Sequence, residues 1–361
     1  MRHPSSDGRM YKDSSIVKYF LNMVGVLDVN KKPLMPCSEK RAKKLMERGE
    51  AKGYYKKGIF CIILQRPPKT KFKQNICIGI DPGSNFNGYS VKSEKHTLIN
   101  IQLKAVDSVK KKMEERAMLR RSRRQRKTPY RKCRFNRSVK ERLPPSTKAR
   151  WLQHLNIIEW MNKIYPITHV AVEDIKAETK KGKRNWNKQF SPLEVGKKYF
   201  YRNIEEQFEL YTFQGYDTFN MRISYGFHKN KDKSEKDFYT HCVDAWCIAN
   251  EVLGSHVEID NERVLYLKPL MFHRRKLHEI LPKKNGFRRN YGGTISEGLK
   301  RGTLVVHKKW GMCYVGGASK GRASLHDINN GKRLCRNAKK EDLRILTIIR
   351  NLQEQVHSSN D

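Results

Sequence analysis

The hydrophobic pattern of this chain switches repeatedly between short β-branched runs and longer stretches of helical period, and each switch marks an element. "VGVLDV" from Val24 and "GIFCIILQ" up to Gln65 predict strands, and "SEKRAKKLMERGEA" between them predicts a helix opened by Ser38 and stopped near Gly49. Pro67-Pro68 and a basic stretch to Gln74 break the pattern. "NICIGID", "NGYSVKS" and "KHTLINIQLKAV" then predict three strands in a meander, the first almost continuously apolar, as a buried central strand is. Residues 108–128 lack Gly and Pro and predict a helix halted by Pro129. "STKARWLQHLNIIEWMNKIY" predicts an amphipathic helix with Leu152, Leu155, Ile158 and Met161 among its apolar positions, ended at Pro166. "ITHVAVED" predicts a strand, Lys176 to Lys188 a loop, "SPLEVGKKYFYRNIEEQFELY" a helix, "DTFNMRISY" a strand and "KNKDKSEKD" a surface loop. "DFYTHCVDAWCIANEVLG" predicts a helix stopped at Gly254. After the basic, Gly-punctuated "FHRRKLHEILPKKNGFRRNYGGT", the alternation in "GTLVVHKK", "GMCYVGG" and "RASLHDI" predicts a small β unit.

Charge changes the picture most. Lys and Arg number 76 against 36 Asp and Glu, a formal charge of +40. A compact chain with that charge repels itself, and a polyanion relieves the repulsion. Nucleic acid is the expected partner, whether the protein acts on it or merely coats it. The length suits two or three modest domains, and no apolar run approaches the ~20 residues needed to span a bilayer. The N-terminus reads as a polar leader rather than a signal peptide. Eight cysteines form no CxxC pair and no Cys/His cluster with zinc spacing, so reduced thiols are expected. The predicted helix from 108 is the most basic segment: Lys110 to Arg137 holds 14 Lys/Arg against Glu114 and Glu115. Val109, Met113, Ala117 and Leu119 make too thin a stripe to hold it on a core. Phosphates can order such a helix, because Arg grips them through a bidentate fork. Arg116, Arg120, Arg121, Arg123, Arg124 and Arg126 are the candidate contacts. A disordered basic arm is the competing reading.

Acidic residues are scarce, which makes their positions informative. Asp81 ends the first meander strand, Glu173 ends a later strand, and Asp244 lies in a helix three residues after His241. Adjacent strand ends would set Asp81 and Glu173 side by side, and helical spacing would put His241 and Asp244 on one face above them. Three such carboxylates tolerate ionisation only around cations. Mg²⁺ suits oxygen ligands, and two ions about 3.5–4 Å apart suit an in-line phosphodiester displacement. His241 would then be a metal ligand or a base. Each residue also has a plainer reading. Asp before Pro-Gly is a common turn residue, Asp174 is an alternative ligand to Glu173, and His241 can be purely structural.

"IGIDPGSNFNGYSV", "THVAVED" and "HCVDAWCIAN" resemble the three split segments of a RuvC-type nuclease, with an RNase H-like fold. The Arg-rich helix resembles the bridge helix of CRISPR effector nucleases. "VLDVNKKPLMPCSEKRAKKLMERGEAKGYYKKGIFCIILQ" is similar to the PLMP domain of the transposon-encoded IscB and IsrB families. IscB carries an HNH nuclease between its second and third RuvC segments. Here 67 residues separate Glu173 from His241, with His228 as their one histidine and no cysteine, so no second nuclease fits and IsrB is the nearer resemblance. "SPLEVGKKYFYRN" and the segment running on from "HRRKLH" are similar to IsrB as well.

The resemblance implies a mixed α/β fold. Its expected parts are a leader (1–20), a PLMP domain (21–68), RuvC segment I (74–106), a bridge helix (107–137) and RuvC segment II (146–180). A connector in place of HNH (181–235), RuvC segment III (236–260) and a β-rich domain reading a target-adjacent motif (261–361) complete it. It places the active site on Asp81, Glu173, His241 and Asp244, with Mg²⁺ or Mn²⁺. It also implies a guide RNA (the ωRNA), double-stranded target DNA, nicking of the displaced strand, a monomer in the RNA complex, and a prokaryotic cytoplasm. The alternatives are an RNA-guided binding protein with weak or no cleavage, and a guide-independent nuclease such as a junction resolvase.

Overall fold

The computed structural model describes residues 23–56, 59–68, 73–124, 143–174, 176, 191–255, 258–269, 295–328, 331–348 and 351–353. The chain opens with β1 (Met23–Leu27), β2 (Pro33–Ser38), α1 (Glu39–Glu47), β3 (Ala51–Lys56) and β4 (Ile59–Leu64). These strands form a sheet of order β2-β1-β4-β3, in which β1 and β4 are parallel. Ser38 caps α1, its hydroxyl accepting from the Arg41 N–H at 3.4 Å, and Gly49 lies just beyond the helix at φ 69°. Ala42 packs with Val24, Val26, Ala51 and Ile62 to close this small core.

The central sheet begins with β5 (Ile76–Asp81), β6 (Phe86–Ser93) and β7 (Thr97–Lys104), paired antiparallel in the expected meander. After α2 (Ser108–Arg124) and α3 (Pro145–Asn162), β8 (His169–Glu173) returns parallel to β5. Next come α4 (Pro192–Glu205), β9 (Glu209–Phe213), α5 (Gly215–Ser224), α6 (Phe238–His241), α7 (Val243–Leu253) and β10 (Val264–Pro269). β9 pairs parallel to β8, and β10 parallel to β7. In the strand order β7-β6-β5-β8-β9, neighbours within the first three are antiparallel and β8 and β9 run parallel to β5, the mixed α/β topology expected of an RNase H-like sheet.

The two-residue period of the strands sorts side chains between the faces. Ile76, Ile78 and Ile80 of β5 and Val170 and Val172 of β8 join one core with Trp151, Ile157, Ile158 and Met161 of α3. The alternate positions Cys77 and Ala171 face α7 instead, packing with Ile248 and Ala249. α7 lies very close to the sheet because two glycines admit it. A Cβ on Gly79 would stand 1.8 Å from the Ala245 carbonyl oxygen, and one on Gly88 1.6 Å from that of His241. Gly254 ends the helix with a left-handed backbone, φ 61°.

Two sequence expectations need correcting. "DTFNMRISY" is helical, not extended: the Gln214 N–H donates to Asp217 Oδ2 at 2.9 Å in a capping box that starts α5. "ELY", read as the tail of the preceding helix, opens edge strand β9, since ladder bonds to β8 outweigh its helical continuity. Beyond residue 260, β10 continues the sheet's hydrogen bonding on β7.

The β-rich end contains β11 (Ile295–Ser296), β12 (Leu299–Lys300), β13 (Thr303–His307), β14 (Gly311–Ser319), β15 (Arg322–Asp327), β16 (Arg333–Lys339) and β17 (Leu343–Ile348). β13 to β17 form an antiparallel sheet of order β16-β15-β14-β13-β17 around Val305, Cys313, Val315 and Leu325. β18 (Asn351–Gln353) then pairs antiparallel with β10, giving the central sheet its seventh strand. Among the described residues no helix is long and apolar enough to cross a membrane. The basic segment 270–294 and most of the predicted loop 176–188 lie outside the described residues.

Candidate active site

Register brings the scarce acids together. Ile80 of β5 is opposite Val172 of β8, so the next residues, Asp81 and Glu173, end neighbouring parallel strands on the α7 face. The residue opposite Asp81 on β6 is Gly88, whose bare backbone lets the α6–α7 junction sit against the strand. That junction delivers Asp244 in the first turn of α7, where exposed N–H groups favour a negative charge. Asp81, Glu173 and Asp244 each present an oxygen, and these oxygens lie within 4.8 Å of one another. Asp244 is buried, while Asp81 and Glu173 are half-buried.

Two cations meet this cluster. Lys229 donates to Oδ2 of Asp81 at 3.3 Å and to Oδ2 of Asp244, and Arg222 of α5 donates to Oδ1 of Asp244. Burial, then the charge of Asp81 and its hydrogen bond, push the Glu173 carboxyl up to about 8, with Asp244 adding to the effect. The shift favours the protonated carboxyl as long as no further cation joins the cluster. The donor set fits a divalent metal: three hard oxygens from separate rigid elements, in a pocket where unassisted ionisation of the third is unfavourable.

Asp174 is committed elsewhere. Its Oδ1 accepts from Lys197 and from the Tyr201 hydroxyl, each at 2.8 Å, and its Oδ2 from Gln214 at 3.3 Å. The hydrogen bonds to Lys197 and Tyr201 lower its pKa against the opposing effect of burial. It ties α4 to the sheet end, and Glu173 alone of the pair faces the cluster.

The group whose ligand atoms lie within 4.8 Å of one another comprises the three carboxylates without His241, although the charge of Asp81 reaches the imidazole. The expected shared helical face is interrupted, because α6 ends at His241 and α7 starts after Cys242. The Nε2–H of His241 donates to the Lys233 carbonyl at 3.2 Å, and its ring lies 5.1 Å from that of Phe86. Burial lowers its pKa and favours the neutral imidazole.

On α2, Arg116, Arg120 and Arg121 are exposed, as are Met118 and Leu119. The backbone of Arg123 and Arg124 is helical, and Arg126 lies outside the described residues. Lys229 and Arg222 carry no signal in the sequence pattern. Lys229 is one of several lysines in a polar loop, and Arg222 lies in the segment whose alternation predicts a strand.

A family model described as RRXRR protein matches residues 24–189, a little under half of the chain. The spelling of that name occurs here as Arg120-Arg121-Ser122-Arg123-Arg124. Among solved structures, the chain is similar to T. thermophilus RuvC in complex with a Holliday junction substrate, at 16% identity and a TM-score of 0.25. That match covers 49% of this chain and 90% of the other. It is also similar to the yeast mitochondrial Holliday junction resolvase, at 11% identity and a TM-score of 0.26, covering 51% of this chain and 80% of that one. No curated protein matches the chain.

Proposed function

We propose that this protein is an RNA-guided DNA endonuclease that nicks the displaced strand of an R-loop at one RuvC-type site. The observation that carries the nuclease reading is the convergence of Asp81, Glu173 and Asp244 from β5, β8 and α7. RNA guidance rests on the resemblance to IsrB and on the RRXRR match, a family found in IscB- and IsrB-like proteins. In this reading base pairing identifies the target, and the protein holds backbone phosphates through its positive charge.

Asp81, Glu173 and Asp244 would hold the divalent ions, Mg²⁺ or Mn²⁺. When bound, such ions stabilise the attacking and leaving oxygens of a phosphodiester displacement. Glu173 must give up its proton to join the ligand set. The rigid strand ends fix Asp81 and Glu173, and α7 fixes Asp244, so little reorganisation accompanies binding. With its Nε2–H held by the Lys233 carbonyl, neutral His241 has its lone pair on Nδ1, the atom that would take a proton from the attacking water. With a single acid cluster among the described residues, one strand is cut per site.

The test is a supercoiled plasmid bearing the target, incubated with Mg²⁺ and with or without the co-purifying RNA. Relaxed circles that require the RNA support the proposal. An RNA-dependent gel shift without relaxation would make the protein a guided binder, and RNA-free cutting would make it a structure-specific nuclease.

A further inference from the structure

Asp244 is held by two cations of different character. Arg222 extends from α5, its side chain only 12% exposed, with the guanidinium 5.4 Å from the Phe219 ring. Lys229 comes from the segment 226–237 between α5 and α6, its side chain 30% exposed. Its ammonium bridges the Oδ2 atoms of Asp81 and Asp244, so it engages two of the three carboxylates at once. A guanidinium packed on an aromatic ring is oriented and hard to move, whereas an ammonium on a four-carbon stem is a mobile point charge.

We propose that Lys229 is a positioning residue that serves as an internal counter-ion: it holds Asp81 and Asp244 together in the metal-free chain and leaves them when a divalent ion takes the same oxygens. Arg222 stays in place throughout. This rests on the reading of the acid cluster as a metal centre. Charge balance favours the exchange: with Arg222 in place, the first divalent ion already neutralises three ionised carboxylates, so a retained ammonium would be surplus positive charge before any further ion enters. Lys229 therefore prevents collapse of the pocket by repulsion and sets a competitive threshold for metal entry. A purely structural lysine predicts the opposite sign, because its loss would spread the acids and weaken metal binding.

The experiment titrates the purified full chain with Mn²⁺ and follows free ion by electron paramagnetic resonance. Thermal unfolding in EDTA runs in parallel. Lys229→Met keeps the stem and removes the charge. It should bind Mn²⁺ on the order of tenfold more tightly, the lower end of what one neighbouring charge does to a carboxylate, and unfold at a lower temperature in EDTA. Lys229→Gln should shift both readouts the same way. Lys231→Met, on the same segment but outside the carboxylates, should leave affinity unchanged. Unchanged or weaker Mn²⁺ binding by both Lys229 variants overturns the inference, as does equal tightening by Lys231→Met. If no chain, wild type included, binds Mn²⁺ saturably, the metal centre itself is refuted and the inference falls with it.

Discussion

The acid pocket and the arginine helix are opposite solutions to handling charge. In α2 the basic residues follow one another along the sequence, and Arg116, Arg120 and Arg121 are exposed to water. Each is screened and close to independent of its neighbours. In the pocket three acids from widely separated positions share a few ångströms, and the state of Glu173 depends on Asp81 and Asp244. Exposed charge acts by addition, and confined charge acts as a unit. Substitutions should therefore be graded in the helix and all-or-none in the pocket.

The largest expected effect is at the pocket. Asp81→Ala should reduce nicking by on the order of 10³-fold or more while leaving RNA-dependent R-loop binding nearly intact. Nicking kinetics and gel shifts on one preparation check this, and a variant that cut at the wild-type rate would end the site assignment. Next comes the packing that builds the pocket. Gly79→Ala forces a Cβ onto the Ala245 carbonyl at 1.8 Å, where neither a strand nor a helix backbone can easily yield. A loss of about 3 kcal/mol in unfolding free energy and a failure to nick are expected. Unaltered denaturant midpoints would mean that α7 does not lie as close as described.

The arginine helix should respond more gently. Replacing Arg120, Arg121, Arg123 and Arg124 by Ala should weaken RNA binding and reduce the salt slope by roughly one for each phosphate that is no longer neutralised. Smaller losses for single replacements, summing to the whole, would sharpen the contrast. A cooperative collapse on the first replacement would break it. The smallest effect concerns pH. Glu173 keeps its proton up to about 8 in the folded chain but loses it near 4.5 when unfolded. Between those values the folded state binds more protons, so metal-free stability should fall as pH rises from about 4.5 to 8. A decline of a few degrees in melting temperature, flattened by Glu173→Gln, is the expected record. A profile that rises with pH through this window in wild type but not in the variant would reverse the assignment.

Much of the framework is legible in the sequence. The meander, the Ser38 cap, the Gly254 stop and the β-rich end all rest on local rules of period, capping and turn chemistry. The failures fall where tertiary contact overrides local preference. The start of β9 continues a helical pattern yet pairs as an edge strand, and "DTFNMRISY" reads as extended yet is capped into α5 by Gln214 and Asp217. His241 shows the limit at the site. Its spacing from Asp244 suggests one continuous helix, whereas α6 ends at His241 and α7 begins after Cys242. The two cations at Asp244 have no local signature, since nothing in a lysine-rich loop marks which ammonium will turn inward.

The amino-acid sequence by itself determined the strand parity that sends Asp81 and Glu173 to the same side as the small residues, and the overwhelming positive charge that calls for a polyanion. Those properties depend on the backbone's two-residue repeat and on composition, which need no distant contact. Only the folded chain decided that Glu173 rather than Asp174 turns toward the cluster, that acids from β5, β8 and α7 share one pocket, and that Lys229 and Arg222 neutralise Asp244. Such choices arise from desolvation and ion pairing between segments far apart in the chain, and these have no value until the segments are packed.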